Sequence, residues 1–333
     1  MNRSMSKLEY KSVMANHLNG FIRLKRALGY KYTTAAYIVG EMDRFFDSIG
    51  LDKPVITKAV SDLWLERKPD EAASTYRGRI EVLVQFARYM SDMGLPCHIP
   101  AIPKVKARGF TAHIFSSEEI IRFFKACDAM ILESLKKDSV IIMLPALFRL
   151  LYATGIRISE ALRLKNDDVD MNHKVLRLRD TKNRKERLVP FTESLATVLR
   201  QYIYYRDRLP VKIDEEYFFL SLAGKACKND GIIYTWFRTI LFNAGIPHKG
   251  RHLGPRVHDF RHTFSVHSLV NMDSMGMDIY CSLPILSSYL GHTSLQATSN
   301  YVRLCEAMYP KVIHRADKEN LNIFPNLIDD ENN

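Results

Sequence analysis

The sequence predicts a mainly α-helical protein of two domains, residues 1–110 and 111–333, with a small antiparallel β-sheet in the second domain. The chain has 333 residues, which is long for one ordinary domain and comfortable for two. Hydrophobic residues recur at helical spacing over most of its length. Residues 96–111 combine prolines and basic residues without hydrophobic periodicity, which is typical of a linker at the end of the first domain.

The first domain shows four amphipathic segments between residues 8 and 93, separated by turn residues. We therefore predict a small domain of four helices. The predicted helix ends are Gly29, Gly50, the residues before Pro69, and Gly94. The predicted N-caps of the second, third and fourth helices are Thr33 or Thr34, Thr57, and Ser74 or Thr75.

The second domain combines helical and strand patterns. Ser116 is predicted to cap its first helix, because acidic residues follow in the first turn. Two alternating segments around the polar residues 180–185 predict a β-hairpin. The other predicted elements are a buried helix at 138–153, hairpin strands at 174–179 and 186–191, a helix at 192–209, a third strand at 216–220 and a helix at 231–245.

Composition limits the classes of function that the chain could serve. The net charge is +11 and 47% of the residues are hydrophobic, so we expect packed cores and a polyanionic partner, against the alternative of a merely basic soluble protein. The five cysteines show no paired spacing, which indicates reduced thiols and a cytoplasmic location. The longest apolar run, residues 140–148, is too short for a bilayer, so no membrane association is expected.

The residues with the clearest chemical pattern lie in the last third of the chain. His258 and Arg261 are three positions apart, so on a helix they share one face. Gly291 follows an apolar helical segment and predicts a helix end that fixes the position of His292. Tyr301 follows nine residues later. Guanidinium and imidazole groups around a phenol point to phosphate chemistry with an oxygen nucleophile.

Five motifs in this order resemble the signature of the tyrosine recombinases, the family of phage integrases and chromosome-dimer resolvases. They are Ala-Thr-Gly-Ile-Arg-Ile-Ser-Glu-Ala-Leu at 153–162, Thr-Lys-Asn-Arg-Lys-Glu-Arg at 181–187, His-Asp-Phe-Arg-His at 258–262, Leu-Gly-His at 290–292, and Tyr301. The resemblance implies a helical core-binding (SAM-like) domain at residues 1–110 and an α+β catalytic domain at 111–333.

The same resemblance implies a site-specific recombinase that cuts and rejoins double-stranded DNA through a 3′-phosphotyrosine and a Holliday junction. It implies a homotetramer on two duplexes, integration or excision of a mobile element, and accessory DNA-binding proteins as further candidate partners. No metal or other cofactor is expected, because arginines and histidines supply the positive charge. The alternatives are a nicking and closing enzyme like type IB topoisomerases, and a DNA-binding protein of this fold that does not cleave.

The resemblance also assigns roles within the site. Arg157 and Arg261 are expected to bind the non-bridging phosphate oxygens, with Tyr301 as the nucleophile. His258 is the expected proton acceptor, and His292 is the expected hydrogen-bond donor to the phosphate.

Three further residues of the second domain are assigned less directly. Lys182 is expected to protonate the leaving oxygen, with Lys185 as the competing candidate. Glu160 is expected to orient the pocket without touching the phosphate. The alternative for Arg157 is a simple ion pair with Glu160. His262 is interpreted as a structural neighbour on the same helix as Arg261.

Contacts with the DNA backbone are predicted from the fourth helix and the linker. The candidates are Tyr76, Arg77, Arg79, Arg88, Lys104, Lys106 and Arg108. The alternative for the helix residues is an ordinary solvated surface. Apolar residues within the tail at 311–328 predict that it either folds back or docks on a neighbouring subunit.

Overall fold

Helices dominate both parts of the chain. The computed structural model describes residues 10–104, 112–131, 139–179, 186–227, 229–250, 253–292, 294, 298–299 and 301. The chain divides into two compact units, Met1–Phe110 and Thr111–Asn333. The mainly α-helical fold with a small antiparallel sheet, as predicted, is confirmed.

The described part of the first unit forms four helices. They are α1 (Ala15–Ala27), α2 (Thr33–Ser48), α3 (Lys58–Leu65) and α4 (Ala73–Asp92). Thr57 caps α3 as predicted, since its hydroxyl accepts the Val60 N–H. The other predicted caps are wrong: α2 begins after Tyr32 in a left-handed conformation, and α4 begins after Ala72, both without a side-chain cap.

The first helix begins later than predicted, because a carboxylate binds the chain before it. Asp43 of α2 accepts the backbone N–H of Lys11 and both the N–H and the hydroxyl of Ser12. These bonds replace the intrahelical bonds that an earlier start would need. The core between the helices includes Phe21, with its ring edge against Phe86.

The described part of the second unit contains seven α-helices. They are α5 (Ser117–Asp128), α6 (Leu144–Thr154), α7 (Ile158–Ala161), α8 (Glu193–Arg206), α9 (Asp230–Asn243), α10 (Asp259–Ser274) and α11 (Ile279–Leu290). Ser116 and Glu119 form a capping box at α5, which confirms the predicted cap. The buried helix α6 begins six residues later than predicted, with Pro145 in its first turn, where proline costs no hydrogen bond.

A three-stranded antiparallel sheet completes the second unit, in the order β1 (Val169–Asp170), β2 (Val175–Leu178) and β3 (Arg187–Pro190). Strands β2 and β3 confirm the predicted hairpin, whose turn at 180–185 lies outside the described residues. The predicted strand at 216–220 is wrong. That segment makes isolated bridges with different partners, and the third strand is β1.

The packing of the second unit brings the ends of α6, α10 and α11 together. Helix α6 packs on α8 and α10, and α10 packs on α11. The segment that enters the unit is attached to α10: the Phe115 N–H donates to the Thr263 hydroxyl at 3.0 Å, and the Phe115 ring stacks on Phe260 at 5.2 Å. No helix among the described residues is both long enough and apolar enough to cross a membrane.

Candidate active site

A sharp turn after α6 places Arg157. Gly155 ends the helix in a left-handed conformation with a φ of 61°, and a Cβ there would collide with the Phe264 ring. Arg157 then becomes the N-cap residue of α7. Glycine is therefore required at this position for two reasons, the left-handed backbone conformation and the close approach of α10.

Glu160 holds Arg157 from within the same short helix. Its carboxylate accepts the Arg157 backbone N–H at 2.9 Å and Arg157 Nη1 at 2.8 Å. Arg187, the first residue of β3, donates to both carboxylate oxygens at 3.2 and 2.9 Å. Burial would raise the pKa of Glu160, but hydrogen bonds from Arg187 and Arg157 lower it below its usual value. Glu160 is therefore an ionised carboxylate shared by two arginines.

Arg261 is fixed by the ends of two helices. Its side chain donates from Nη1 to the Gly155 carbonyl at 2.7 Å and from Nη2 to the Leu290 carbonyl at 2.8 Å. Only 2% of the residue is exposed. Burial, followed by the charge of Arg157, lowers the pKa of Arg261 to about 10, so it remains a cation at neutral pH.

His292 stands between Arg261 and a buried hydroxyl. Gly291 ends α11 with a φ of 65°, as predicted from the sequence. His292 Nε2 lies 3.0 Å from Arg261 Nη2, and its Nδ1 lies 2.7 Å from the Thr298 hydroxyl. Arginine only donates, so Nε2 accepts and the ring proton is on Nδ1. Burial, followed by Arg261, lowers the pKa of His292 to about 4. In this neutral state His292 does not donate from Nε2, which differs from the role expected of it.

Two histidines line the start of α10. The rings of His258 and His262 lie edge to face, with centroids 4.9 Å apart. His258 is at the solvent side, and the burial of part of its ring, followed by His262 and Arg261, lowers its pKa to about 3. Burial, followed by Arg261, lowers the pKa of His262 to about 4. Both rings are therefore neutral at neutral pH.

Tyr301 lies beside the imidazoles of His262 and His292 and is only 4% exposed. Its ring centroid is 5.5 Å from that of His262 and 6.0 Å from that of His292. It packs in a hydrophobic cluster with Val266, Leu269, Leu286 and Leu290. His262 is therefore a direct neighbour of Tyr301, a proximity that the sequence interpretation missed.

The structure brings together five of the six residues predicted for the site. They are Arg157, His258, Arg261, His292 and Tyr301. Lys182 and its competitor Lys185 lie outside the described residues. Within the described residues, no group of three His, Cys, Asp or Glu side chains is arranged to hold a metal ion.

Two further residues were not found from the sequence. Arg187 looked like one of several cations of a charged turn, although its place at the start of a strand could have set it apart. Thr298, which bonds to His292, is fully buried and carries no sequence signal.

The predicted DNA contacts on α4 differ in their surroundings. Arg79 is 3% exposed and donates to the Glu71 carboxylate at 3.0 and 3.1 Å. The predicted contact of Arg79 with a DNA phosphate is therefore wrong, and its guanidinium forms a buried ion pair within the first unit. Tyr76 donates its hydroxyl to the Leu65 carbonyl at 3.0 Å.

The remaining predicted DNA contacts are either exposed cations or residues outside the described part of the chain. Arg77 is exposed and pairs with Glu81 at 2.8 Å, and Arg88 and Lys104 are also exposed. Lys106 and Arg108 lie outside the described residues.

A phenol, two arginines and neutral imidazoles in one place define a candidate site for phosphoryl transfer. Residues 115–308 match the phage integrase family, and the chain belongs to this family. The inferred integrase/recombinase y4rB of Sinorhizobium fredii is 29% identical over 301 residues, covering 90% of this chain and 95% of that protein. The tyrosine recombinase XerC of Chlamydia caviae is 35% identical over 158 residues, covering 47% of this chain and 46% of XerC.

Solved structures show the same fold. The XerH site-specific recombinase bound to its palindromic difH substrate, a post-cleavage complex, superimposes with a TM-score of 0.62 at 19% identity, covering 89% of this chain and 82% of XerH. The Tn1549 transposon integrase in complex with circular intermediate DNA gives a TM-score of 0.61 at 17% identity, covering 86% of this chain and 94% of that one.

Proposed function

We propose that the chain is a site-specific DNA recombinase that cuts and rejoins strands through a 3′-phosphotyrosine and a Holliday junction, for integration or excision of a mobile element. One observation carries the proposal. The ring centroids of Tyr301 and His292 are 6.0 Å apart, and His292 Nε2 lies 3.0 Å from Arg261 Nη2. Nucleophile, imidazole and cation belong to one chain, which supports cleavage by the subunit that binds the phosphate.

The two arginines bind the non-bridging oxygens of the scissile phosphate in this proposal. A guanidinium fork matches two phosphate oxygens, and the pair balances the charge that grows in the transition state. Arg157 is held by Glu160, and Arg261 is held by the Gly155 and Leu290 carbonyls. Because both guanidinium groups are already held in place, little side-chain entropy is lost when the phosphate binds. More of the binding energy is then available to stabilise the transition state.

The proton movements follow from the neutral histidines. The Tyr301 oxygen forms a bond to phosphorus while its proton passes to His258. The bond from phosphorus to the 5′ oxygen breaks, and that oxygen keeps the electron pair and takes a proton from Lys182. A phosphate placed between Arg261 and His292 adds negative charge and raises the pKa of His292. His292 can then carry a second proton and donate from Nε2.

Strand exchange is the reverse reaction with a different 5′ hydroxyl, so the energy of the broken bond is retained in the phosphotyrosine. Neither ATP nor a metal is then needed. Cleavage is expected to survive excess EDTA at constant ionic strength, and a loss that Mg²⁺ restores would contradict this part of the proposal.

Double-stranded DNA is the proposed partner. The net charge of +11 and the exposed Arg77, Arg88 and Lys104 support contact with the backbone. XerH and the Tn1549 integrase were solved with DNA. We further propose a tetramer on two duplexes, with accessory DNA-binding proteins. Residues 311–328, which lie outside the described residues, are proposed to contact a neighbouring subunit.

The substitution Tyr301→Phe tests the nucleophile, because it removes one oxygen and leaves the packing nearly unchanged. The substrates are nicked duplexes prepared from the DNA that flanks the gene. The parent protein should form an adduct that survives SDS, whereas Tyr301→Phe should bind equally and form none. An adduct with the Phe variant would refute the assignment. Recombinant joints between two marked duplexes distinguish strand exchange from nicking and closing.

The acid is tested with sulfur in place of the 5′ bridging oxygen. A thiol leaves with a pKa of about 8.5 against about 16 for an alcohol, so it needs almost no proton donation. Lys182→Ala should be defective on ordinary DNA and close to the parent protein on the sulfur substrate. If Lys185→Ala shows this rescue and Lys182→Ala does not, the acid is Lys185.

A further inference from the structure

Arg187 connects three parts of the second unit that carry different site residues. It begins β3, and its side chain is 11% exposed. Its Nε donates to the Tyr289 carbonyl near the end of α11 at 3.0 Å. Its two terminal nitrogens donate to the two oxygens of Glu160 at 3.2 and 2.9 Å. One planar guanidinium therefore fixes the sheet, α7 and α11 relative to one another.

The turn that carries His292 passes directly against this guanidinium. A Cβ on Gly291 would lie 3.1 Å from Arg187 Nη1 and 3.3 Å from its Cζ. The glycine thus permits the close approach as well as the left-handed conformation. Together with the bond to the Tyr289 carbonyl, this approach places Arg187 against the backbone just before His292.

Arg187 also determines how the carboxylate of Glu160 binds Arg157. Arg187 occupies both of its oxygens, while Arg157 donates to one of them through Nη1. A carboxylate without Arg187 could accept Arg157 in a bidentate pair, which is the stronger arrangement. That pair would draw the guanidinium of Arg157 toward Glu160 and away from a substrate.

We propose that Arg187 is a positioning residue that directs the guanidinium of Arg157 toward the scissile phosphate and holds the turn before His292. The inference rests on the proposed cleavage of DNA by Tyr301. Arg187 acts through Glu160 and the Tyr289 carbonyl and does not touch the reacting atoms. Its loss should lower the rate of cleavage without removing the affinity for DNA.

The test measures adduct formation in a single turnover on the nicked duplex that the parent protein cleaves. Arg187→Gln is expected to react about 100-fold more slowly, the scale of a small misplacement of catalytic groups. Arg187→Lys keeps the charge and the stem but cannot form three bonds at once, so a loss of at least about 10-fold is expected. The matched control is Arg200→Gln, which removes an exposed Arg–Glu pair of α8 and should react as the parent does.

A double-mutant cycle separates positioning from a general loss of packing. Since part of the action of Arg187 passes through Glu160, the combined loss of rate in the Arg187→Gln, Glu160→Gln double variant should be clearly smaller than the product of the two single losses. Rate losses that multiply would contradict action through Glu160. DNA affinity and melting temperature, measured alongside, show whether each variant is folded. If Arg187→Gln is not folded, the rate of Arg187→Lys tests the proposal instead. A parental rate of cleavage by Arg187→Lys would overturn it. If the parent itself forms no adduct, the proposed function fails instead.

Discussion

Arg79 and Arg261 are both buried arginines, one in each unit, and they differ in how their charge is balanced. Arg79 is 3% exposed and donates to the backbone carbonyls of Trp64 and Glu66. It also forms a paired contact with the Glu71 carboxylate at 3.0 and 3.1 Å. Burial opposes ionisation of Glu71, yet the hydrogen bonds from Arg79 keep its pKa below the usual value. The charge of Arg79 is therefore neutralised within its own unit.

Arg261 is equally buried and also donates to two backbone carbonyls, those of Gly155 and Leu290. Its third contact is a neutral imidazole, His292, and within the described residues it forms no ion pair. Burial and Arg157 lower its pKa to about 10. A buried cation without a carboxylate on it is costly until an anion arrives. Charge balance, more than burial, therefore distinguishes a structural arginine from one that is available to a phosphate.

The largest expected effect is on cleavage by Arg261→Gln. Loss of a fixed donor to a developing negative charge should slow single-turnover cleavage by about 10³-fold, or about 4 kcal/mol of transition-state stabilisation. DNA binding should change far less, because many other phosphate contacts remain. The rate of adduct formation, measured below the melting temperature, checks this. A loss under about 10-fold would show that Arg261 is a structural arginine, as Arg79 is.

Arg79→Gln should instead lower the free energy of unfolding of the first unit by about 3 kcal/mol, because it removes the cation paired with the Glu71 carboxylate, whose side chain is 5% exposed. Cleavage per folded molecule should stay close to that of the parent. The matched control is Arg77→Gln, whose pair with Glu81 is exposed, so a change below about 1 kcal/mol is expected. Denaturant titrations measure both. A cleavage defect in a stable Arg79→Gln protein would restore its role in DNA contact.

The cationic environment of Arg261 should also appear in the pH dependence of stability. His262 and His292 have folded pKa values of about 4, below the ordinary value, so the unfolded chain binds more protons between these limits. The free energy of unfolding should fall as the pH drops from about 6.5 to about 4, by up to about 1.4 kcal/mol per unit for each histidine. His262→Gln should reduce this slope, and an unchanged slope would contradict the assignment.

The smallest expected effect concerns the attachment of Phe115 to α10, which stabilises the unit without acting on charge. Thr263→Val keeps the shape but leaves the Phe115 N–H without its acceptor, which should cost about 1–2 kcal/mol of stability. Thr263→Ser keeps the hydroxyl and should cost less. Equal destabilisation by the two variants would show that the methyl group matters more than the hydrogen bond.

Much of the candidate site could be predicted because its residues follow local signals. Gly155 and Gly291 mark helix ends in the sequence, and the residues just after them, Arg157 and His292, are fixed by those turns. The spacing of His258 and Arg261 likewise follows from one helix. These relations depend on short stretches of chain, where periodicity and glycine conformation are informative.

The features that could not be predicted depend on side-chain pairs beyond the reach of helical periodicity. The burial of Arg79 follows from its contact with Glu71, eight residues earlier, and the same side chain would be a plausible surface cation without it. Arg187 meets Glu160 across 27 positions, so its pattern resembles any charged turn. The third strand was misplaced because segment 216–220 has strand-like composition, whereas its hydrogen bonds go to scattered partners.

Identifying the residue that carries the DNA in the covalent complex tests directly whether Tyr301 is the nucleophile. The covalent complex is digested with nuclease and protease, and the modified peptide is sequenced by mass spectrometry. Trypsin leaves residues 262–303 in one peptide with Tyr280, Tyr289 and Tyr301, so fragmentation has to separate the three. Tyr280 is 82% exposed and would be the most accessible phenol, whereas Tyr301 is 4% exposed beside the imidazoles. We expect the nucleotide mass on Tyr301, and finding it on Tyr280 or Tyr289 would contradict the proposed site.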